Sequence, residues 1–295
     1  MKNLDYRNLA ALDAVVAHGN FEKAALALAI SQSAVSQRIK ALEDAAGRLL
    51  VIRGQPAVPT GLGQRLISHF QHVRLMENAL EIELGQAARL PTVEVEVDGD
   101  SLAGWFSEAC AALIGPGKCL LDVRLATSDS LASLREGAVF GCVSSAQETV
   151  GGTTATALGV LRYSLLATPA FARTWFADGF TLDSALQAPA VTANPDLHSR
   201  FLGRRFNLEG QFPASRLPAC HAMLAHVQGG LAYGLLPHSQ VAALLEQDTL
   251  IDLAAGDTID VALRWHAWNI QTPLTQLLTE QVVAHGRRHL DQTGR

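Results

Sequence analysis

Apolar and polar positions recur along this chain with two periods, and the first is helical. Leu9, Leu12, Val15 and Val16 fall on one face of a helix that stops at His18-Gly19. Asn20 is placed to cap a second helix, which carries Phe21, Ala24, Ala25 and Leu28 on one side. A short turn at Ala29-Ile30 leads to Ser31, the N-cap of a third helix. There Val35, Ile39, Leu42 and Ala46 share one face. Ser33, Ser36, Gln37 and Lys40 share the other, flanked by Gln32 and Arg38. Gly47 ends it. Leu49 to Arg53 reads as a strand, Gly54-Gln55-Pro56 as a turn and Ala57-Val58-Pro59 as the return strand. Thr60 then caps a long helix with a narrow stripe of Leu62, Leu66, Phe70, Val73, Met76, Leu80 and Leu84. At 1.5 Å per residue it is roughly 40 Å long. One stripe on so long a helix predicts a seam with the same helix of a second subunit, through Leu66, Phe70, Val73 and Leu80. Gly85 to Pro91 reads as a linker.

From residue 92 the pattern changes. Val93, Val95 and Val97 alternate with Glu94 and Glu96, as a strand does. Helical spacing follows at Leu102, Trp105, Phe106 and Ala109, then a strand at Leu121, Val123 and Leu125, a helix at Leu131 and Leu134, and a strand from Val139 to Val143. A second set begins at Leu158. It has strands at Ser164 to Thr168, Ala190 to Ala193, Arg216 to Ala219 and Leu231 to Leu236, with helices from Pro169, through Phe201 and Phe206, and through Met223 and Val227. Thr258 to Trp268 is long enough to return to the first set, and Leu274, Leu277, Leu278 and Val282 mark a last helix. Such alternation predicts parallel α/β sheets in two lobes with a cleft between them.

The chemistry of the third helix sharpens its meaning. Its polar face is hydroxyls and amides, which read base edges and phosphates, with Arg38 and Lys40 adding charge. Two short helices, a tight turn and this element make a helix-turn-helix, followed by a wing with Arg53 at its tip or edge. The predicted DNA contacts are Gln32, Ser33, Ser36, Gln37, Arg38, Lys40 and Arg53. The chain as a whole carries a net charge of −5, so the basic excess between Ile30 and Val73 is local.

These residues resemble the LysR-type transcriptional regulators, from Leu9 through the Gln32 to Glu43 helix to Pro59-Thr60-Gly61-Leu62-Gly63. Where many members have Leu-Phe-x-Arg, this chain has Leu50-Val51-Ile52-Arg53. The resemblance is closer to the ArgP/LysG subgroup, regulators of basic amino-acid export. It is carried by Asp5-Tyr6-Arg7, Leu12-Asp13-Ala14-Val15, Asp100-Ser101-Leu102-Ala103 with Trp105, Gly137 to Ser144, and Trp265-His266. It implies a winged helix-turn-helix, a linker helix and a two-lobed α/β effector domain of periplasmic-binding-protein type.

The expected domains are residues 1–59 for DNA binding, 60–90 for the linker and dimerisation helix, and 91–295 for the effector domain. Lobe I takes about 91–160 with 269–295, and lobe II about 161–268. Ligands of such clefts sit at the carboxyl ends of strands. Asp98, Asp100 and Ser101 follow the first strand, where free amides and the Ser101 hydroxyl could hold a carboxylate; the same residues would serve as a plain helix cap. Ser128 and Asp129 follow the second strand and Ser144 the third, while Asn194 and His221 hold like positions in lobe II. A sensor of basic amino acids is expected to carry an acidic run after the second strand, and this chain has one carboxylate there, Asp129.

The expected partners are double-stranded DNA with two-fold symmetry, a second copy of the chain in either a dimer or a tetramer, RNA polymerase, and a small-molecule co-inducer with lysine or arginine as candidates. Neither cofactor nor metal is expected. The four cysteines form no Cys-x-x-Cys pair, and no run of about twenty apolar residues spans a bilayer, so a cytoplasmic protein with reduced thiols is expected. Catalysis is disfavoured: there is no P-loop and no HExxH, and Cys220-His221 are sequence neighbours that a strand would point to opposite faces. The alternative is an architectural or replication-origin-binding DNA protein without an effector.

Overall fold

The computed structural model describes residues 4–85, 90–115, 117–126, 131–193, 195–207, 212–217 and 220–292. The head is three helices, α1 (Tyr6–His18), α2 (Phe21–Ala27) and α3 (Gln32–Ala46), then a small ribbon of β1 (Val51–Ile52) and β2 (Val58–Pro59). Side-chain caps define the helix starts. Asn20 accepts from the Lys23 amide and Ser31 from the Ala34 amide. Gly47 closes α3 with φ +66, a conformation that costs an L-residue about 1–2 kcal/mol. Leu9, Leu12, Val15, Val35, Ile39, Leu42 and Leu50 are all buried in one core.

Helix α4 (Gly61–Glu83) begins inside that core. Leu66, Ile67 and Phe70 are buried in it, so Leu66 and Phe70 are not at a subunit seam. The periodicity correctly marked a buried face; the face is buried against α4's own domain. Val73 is half-buried, and the apolar residues that remain exposed are Met76, Leu80, Ile82 and Leu84.

The rest is β3 (Thr92–Val97), α5 (Gly99–Ser101), a π-turn (Leu102–Phe106), α6 (Ser107–Ile114), β4 (Leu120–Leu125), α7 (Ala132–Glu136), β5 (Gly141–Ser144) and β6 (Thr153–Ala167). There follow α8 (Pro169–Trp175), α9 (Leu182–Gln187), β7 (Ala190–Thr192), α10 (Pro195–Phe206), β8 (Ala214–Arg216), α11 (Cys220–Gln228), β9 (Gly234–Pro237), α12 (His238–Glu246), β10 (Ile251–Asp252), β11 (Ile259–Trp268) and α13 (Pro273–His289). In lobe I the sheet order is β4-β3-β5-β11-β6; in lobe II, β9 and β10 flank β6, and β7 pairs with β8.

Only part of this sheet is parallel. β3 runs parallel to β4 and β5, whereas β11 is antiparallel to both β5 and β6. The strand expected from Ser164 is the end of one strand, β6, that starts at Thr153 and passes through both lobes. β11 returns beside it. Its Arg264 to Ala267 pair with β5, and Ile259 to Trp268 pair with β6. The register shifts there, between Leu263 and Arg264 on β11 and around Leu158 on β6. Gly159 sits at the shift with φ +142, and a Cβ on it would lie 2.7 Å from Leu290 Cβ and 2.9 Å from the Asp291 carbonyl. Segment 290–292 is laced over this point. Val160 and Asp291 exchange backbone hydrogen bonds, and Gln292 Nε2 donates to the Leu158 carbonyl.

Head and lobe I touch through α4. His72 packs on Trp268 with ring centroids 5.1 Å apart, and Gln71 donates to Asp13 of α1. Burial, followed by the nearby His69, pulls the His72 imidazole down to about 4, so it is neutral here.

Candidate functional site

The candidate reading surface lies on α3. Gln32, Ser33, Gln37 and Lys40 are exposed, and Ser36 and Arg38 are half-buried between them and the core face. Ser31 and Ser33 share a hydroxyl contact of 2.9 Å at the start of the helix. The turn into α3 places Ala29 at φ +52, a position where glycine would be at ease. The wing is fixed to α3 by Glu43, which sequence reasoning missed: its Oε1 accepts from the Leu50 and Val51 amides at 2.9 and 3.4 Å. Arg53 is exposed, with its guanidinium 5.4 Å from the Phe21 ring centre. Of the seven predicted DNA contacts, six lie on α3 and Arg53 follows β1 in the wing.

In the cleft the outcome is mixed. Ser128, Asp129 and Asn194 lie outside the described residues. Asp98, Asp100 and Ser101 come together at the end of β3. The Ser101 amide donates to Asp98 Oδ1 at 2.8 Å, so that amide is already taken and does not await an effector carboxylate. Asp98 Oδ2 and the Ser101 hydroxyl are fully enclosed, with no well-formed hydrogen bond among the described residues. Burial raises the Asp98 carboxyl above its usual range, and the Ser101 hydroxyl and amide pull it part of the way back.

Asp100 is held by residues of β6 and α12. Tyr163 on β6 donates its hydroxyl to Asp100 Oδ2 at 2.7 Å, and Gln240 on α12 donates to the Asp100 carbonyl at 2.9 Å. Burial pushes the Asp100 carboxyl up to about 6; the Tyr163 hydroxyl lowers it and the Asp98 charge raises it further. Tyr163 and Gln240 had no signal in the sequence, being 63 and 140 residues from Asp100. Just beyond, Gly104 breaks the π-turn with φ −99 and ψ −110. Ser144 is buried at the end of β5, where its Oγ accepts from the Ala146 amide. His221 is exposed on α11.

Residues 6–64 match the family described as bacterial regulatory helix-turn-helix protein, lysR family. The chain is 38% identical over 298 residues to the HTH-type transcriptional regulator ArgP of Aeromonas salmonicida, covering 98% of this chain and 99% of that one. The chain belongs to the LysR family of transcriptional regulators. Solved structures agree. ArgP from Mycobacterium tuberculosis superimposes with a TM-score of 0.88 at 32% identity, covering 99% of this chain and all of that one. Full-length LysG from Corynebacterium glutamicum, with bound effector Arg, gives 0.76 at 30% identity, covering 98% of this chain and all of that one.

This LysR-type regulator also carries a buried row that resembles catalytic machinery. Glu96, Cys142 and His266 are register partners across β3, β5 and β11. Burial, followed by the Glu96 charge, pushes the Cys142 thiol up to about 12. A thiol held protonated is the reverse of an activated nucleophile. The family is one of regulators, not enzymes. No helix among the described residues is long and apolar enough to cross a membrane.

Proposed function

We propose that this DNA-binding, effector-responsive regulator senses a basic amino acid of the lysine–arginine class and controls a gene for its export or metabolism. The observation that carries the reading is the pair Asp98 and Asp100. Two neighbouring carboxylates, both raised by burial, lie at the end of β3, Asp98 beside the enclosed Ser101 hydroxyl and Asp100 held by Tyr163 and Gln240. A guanidinium or ammonium entering beside them would satisfy the unmatched acceptor on Asp98 and favour the ionised form of both acids. The arginine bound by LysG, 30% identical to this chain, supports the same ligand class. Because Asp98 occupies the Ser101 amide, the cation of the ligand rather than its carboxylate belongs at this end of the cleft.

In this reading residues 1–59 read DNA, 60–90 link and dimerise, and the remainder senses, with the lobes dividing where β6 and β11 cross. The dimer seam uses the second half of α4 and its C-cap, through half-buried Val73 and exposed Met76, Leu80 and Leu84. Two copies present two α3 helices to a two-fold site, dimers pair further, and the complex works with RNA polymerase in the cytoplasm. Such a ligand regulates only if it favours one lobe arrangement over another. Calorimetry with L-arginine and L-lysine, against the uncharged L-citrulline and L-norleucine, tests the sensing role. Binding of the cations alone is the expected outcome. Equal binding of the neutral analogues, or no binding of either cation, would overturn it.

A further inference from the structure

On the surface of lobe I, away from both sites, α6 and α13 bring together three side chains with no part in reading DNA. His285 and His289 lie one helical turn apart on α13. Their rings stack with planes 7° apart and centroids separated by 6.3 Å. Glu108 on α6 faces them, its Oε2 3.3 Å from His289 Nε2. One potential ligand atom from each of the three lies within 4.8 Å of the other two. Paired histidines at i and i+4 on one helix face are a recurrent way of holding a zinc ion, and a carboxylate is a common third ligand.

We propose that Glu108, His285 and His289 form a binding site for a first-row divalent cation of the Zn²⁺ class, with water completing a tetrahedral shell. A nitrogen–nitrogen–oxygen donor set suits zinc and its neighbours rather than calcium or magnesium, which take oxygen. His285 Nδ1 is enclosed without a partner among the described residues, so no hydrogen bond there opposes rotation of the ring toward an ion. The thiols of Cys110 and Cys119 are buried and held protonated, which removes them as competitors in the native state. A bound ion would clip α13 to α6, the helix that continues from the π-turn after Asp98–Ser101.

The test is competitive Zn²⁺ titration of the metal-free full chain against a chromophoric chelator. The wild type and His285→Gln, His289→Gln and Glu108→Gln are compared, with DNA binding in metal-free buffer as the check of folding. The wild type is expected to take up one equivalent, and each histidine variant to bind it about tenfold more weakly or worse. Zn²⁺ should raise the melting temperature of the wild type and of neither histidine variant. No equivalent bound by the wild type, or unchanged affinity in both histidine variants, overturns the proposal. Should a variant fail to fold, the Co²⁺ spectrum of the wild type decides: nitrogen–oxygen coordination supports the site, and thiolate charge-transfer bands overturn it.

Discussion

Asp100→Asn removes one titrating group from the cleft while keeping an acceptor for the Tyr163 hydroxyl. The Asp100 carboxyl stands at about 6 against an ordinary 3.8, so the folded chain holds this proton more tightly than the unfolded one. The sign follows. The stabilisation is complete below 3.8 and is lost as pH rises through about 6. A shift of about two units at ~1.4 kcal/mol each makes the loss by neutral pH on the order of 3 kcal/mol at most. Urea unfolding at about pH 5 and about pH 7.5 should therefore show the wild type losing more stability than the variant on the way up. Asp98 is coupled to Asp100, so the difference belongs to the pair. Effector binding follows the same equilibrium. At about pH 5 nine-tenths of Asp100 is protonated, so a cation that needs the carboxylate should bind about tenfold more weakly than at about pH 7.5. Calorimetry at about pH 5 in two buffers of different ionisation heat should detect the released proton, and Asp100→Asn should release fewer protons than the wild type. Parallel unfolding profiles together with proton-free binding in the wild type would refute the reasoning.

Gln32→Ala should change sequence preference at a cost of about 1–3 kcal/mol for a lost base contact, whereas Arg53→Ala should weaken all sites alike and flatten the salt dependence in binding assays. Leu80, 56% exposed on α4, should be buried in the dimer; Leu80→Asp should shift the sedimenting species toward monomer, while DNA half-site contacts survive. Gly63→Ala would place a methyl 2.0 Å from the Leu50 carbonyl oxygen and should destabilise the head by about 1–3 kcal/mol in thermal unfolding. Ala29→Gly should be neutral or stabilise it by up to about 1 kcal/mol, because Ala29 is held at φ +52.

Much of the head was legible because its signals are local. Ser31, Asn20 and Thr60 cap the helices they precede, and Val35, Ile39 and Leu42 face the core as their spacing requires. The stripe on α4 misled because periodicity shows that a face is covered and not what covers it. Leu66 and Phe70 are covered from within. β6 looked like separate pieces because its bulge at Leu158 interrupts the alternation that marks a strand. In the cleft, Asp98, Asp100 and Ser101 were found by their place after a strand. That the nearest amide had been claimed by Asp98, and that Tyr163 and Gln240 close on Asp100, depends on how distant segments pack, which local spacing does not encode.

The lacing of segment 290–292 over the crossing strands gives the molecule a built-in strain gauge. Any rotation of one lobe against the other must be absorbed where β6 and β11 pass between them, and the Val160–Asp291 amides bridge that point. Their hydrogen-exchange rates should therefore track lobe rotation. Substitutions at Leu290, Asp291 or Gln292, remote from the cleft, would retune the response by changing the stiffness of the axle rather than the shape of the lock.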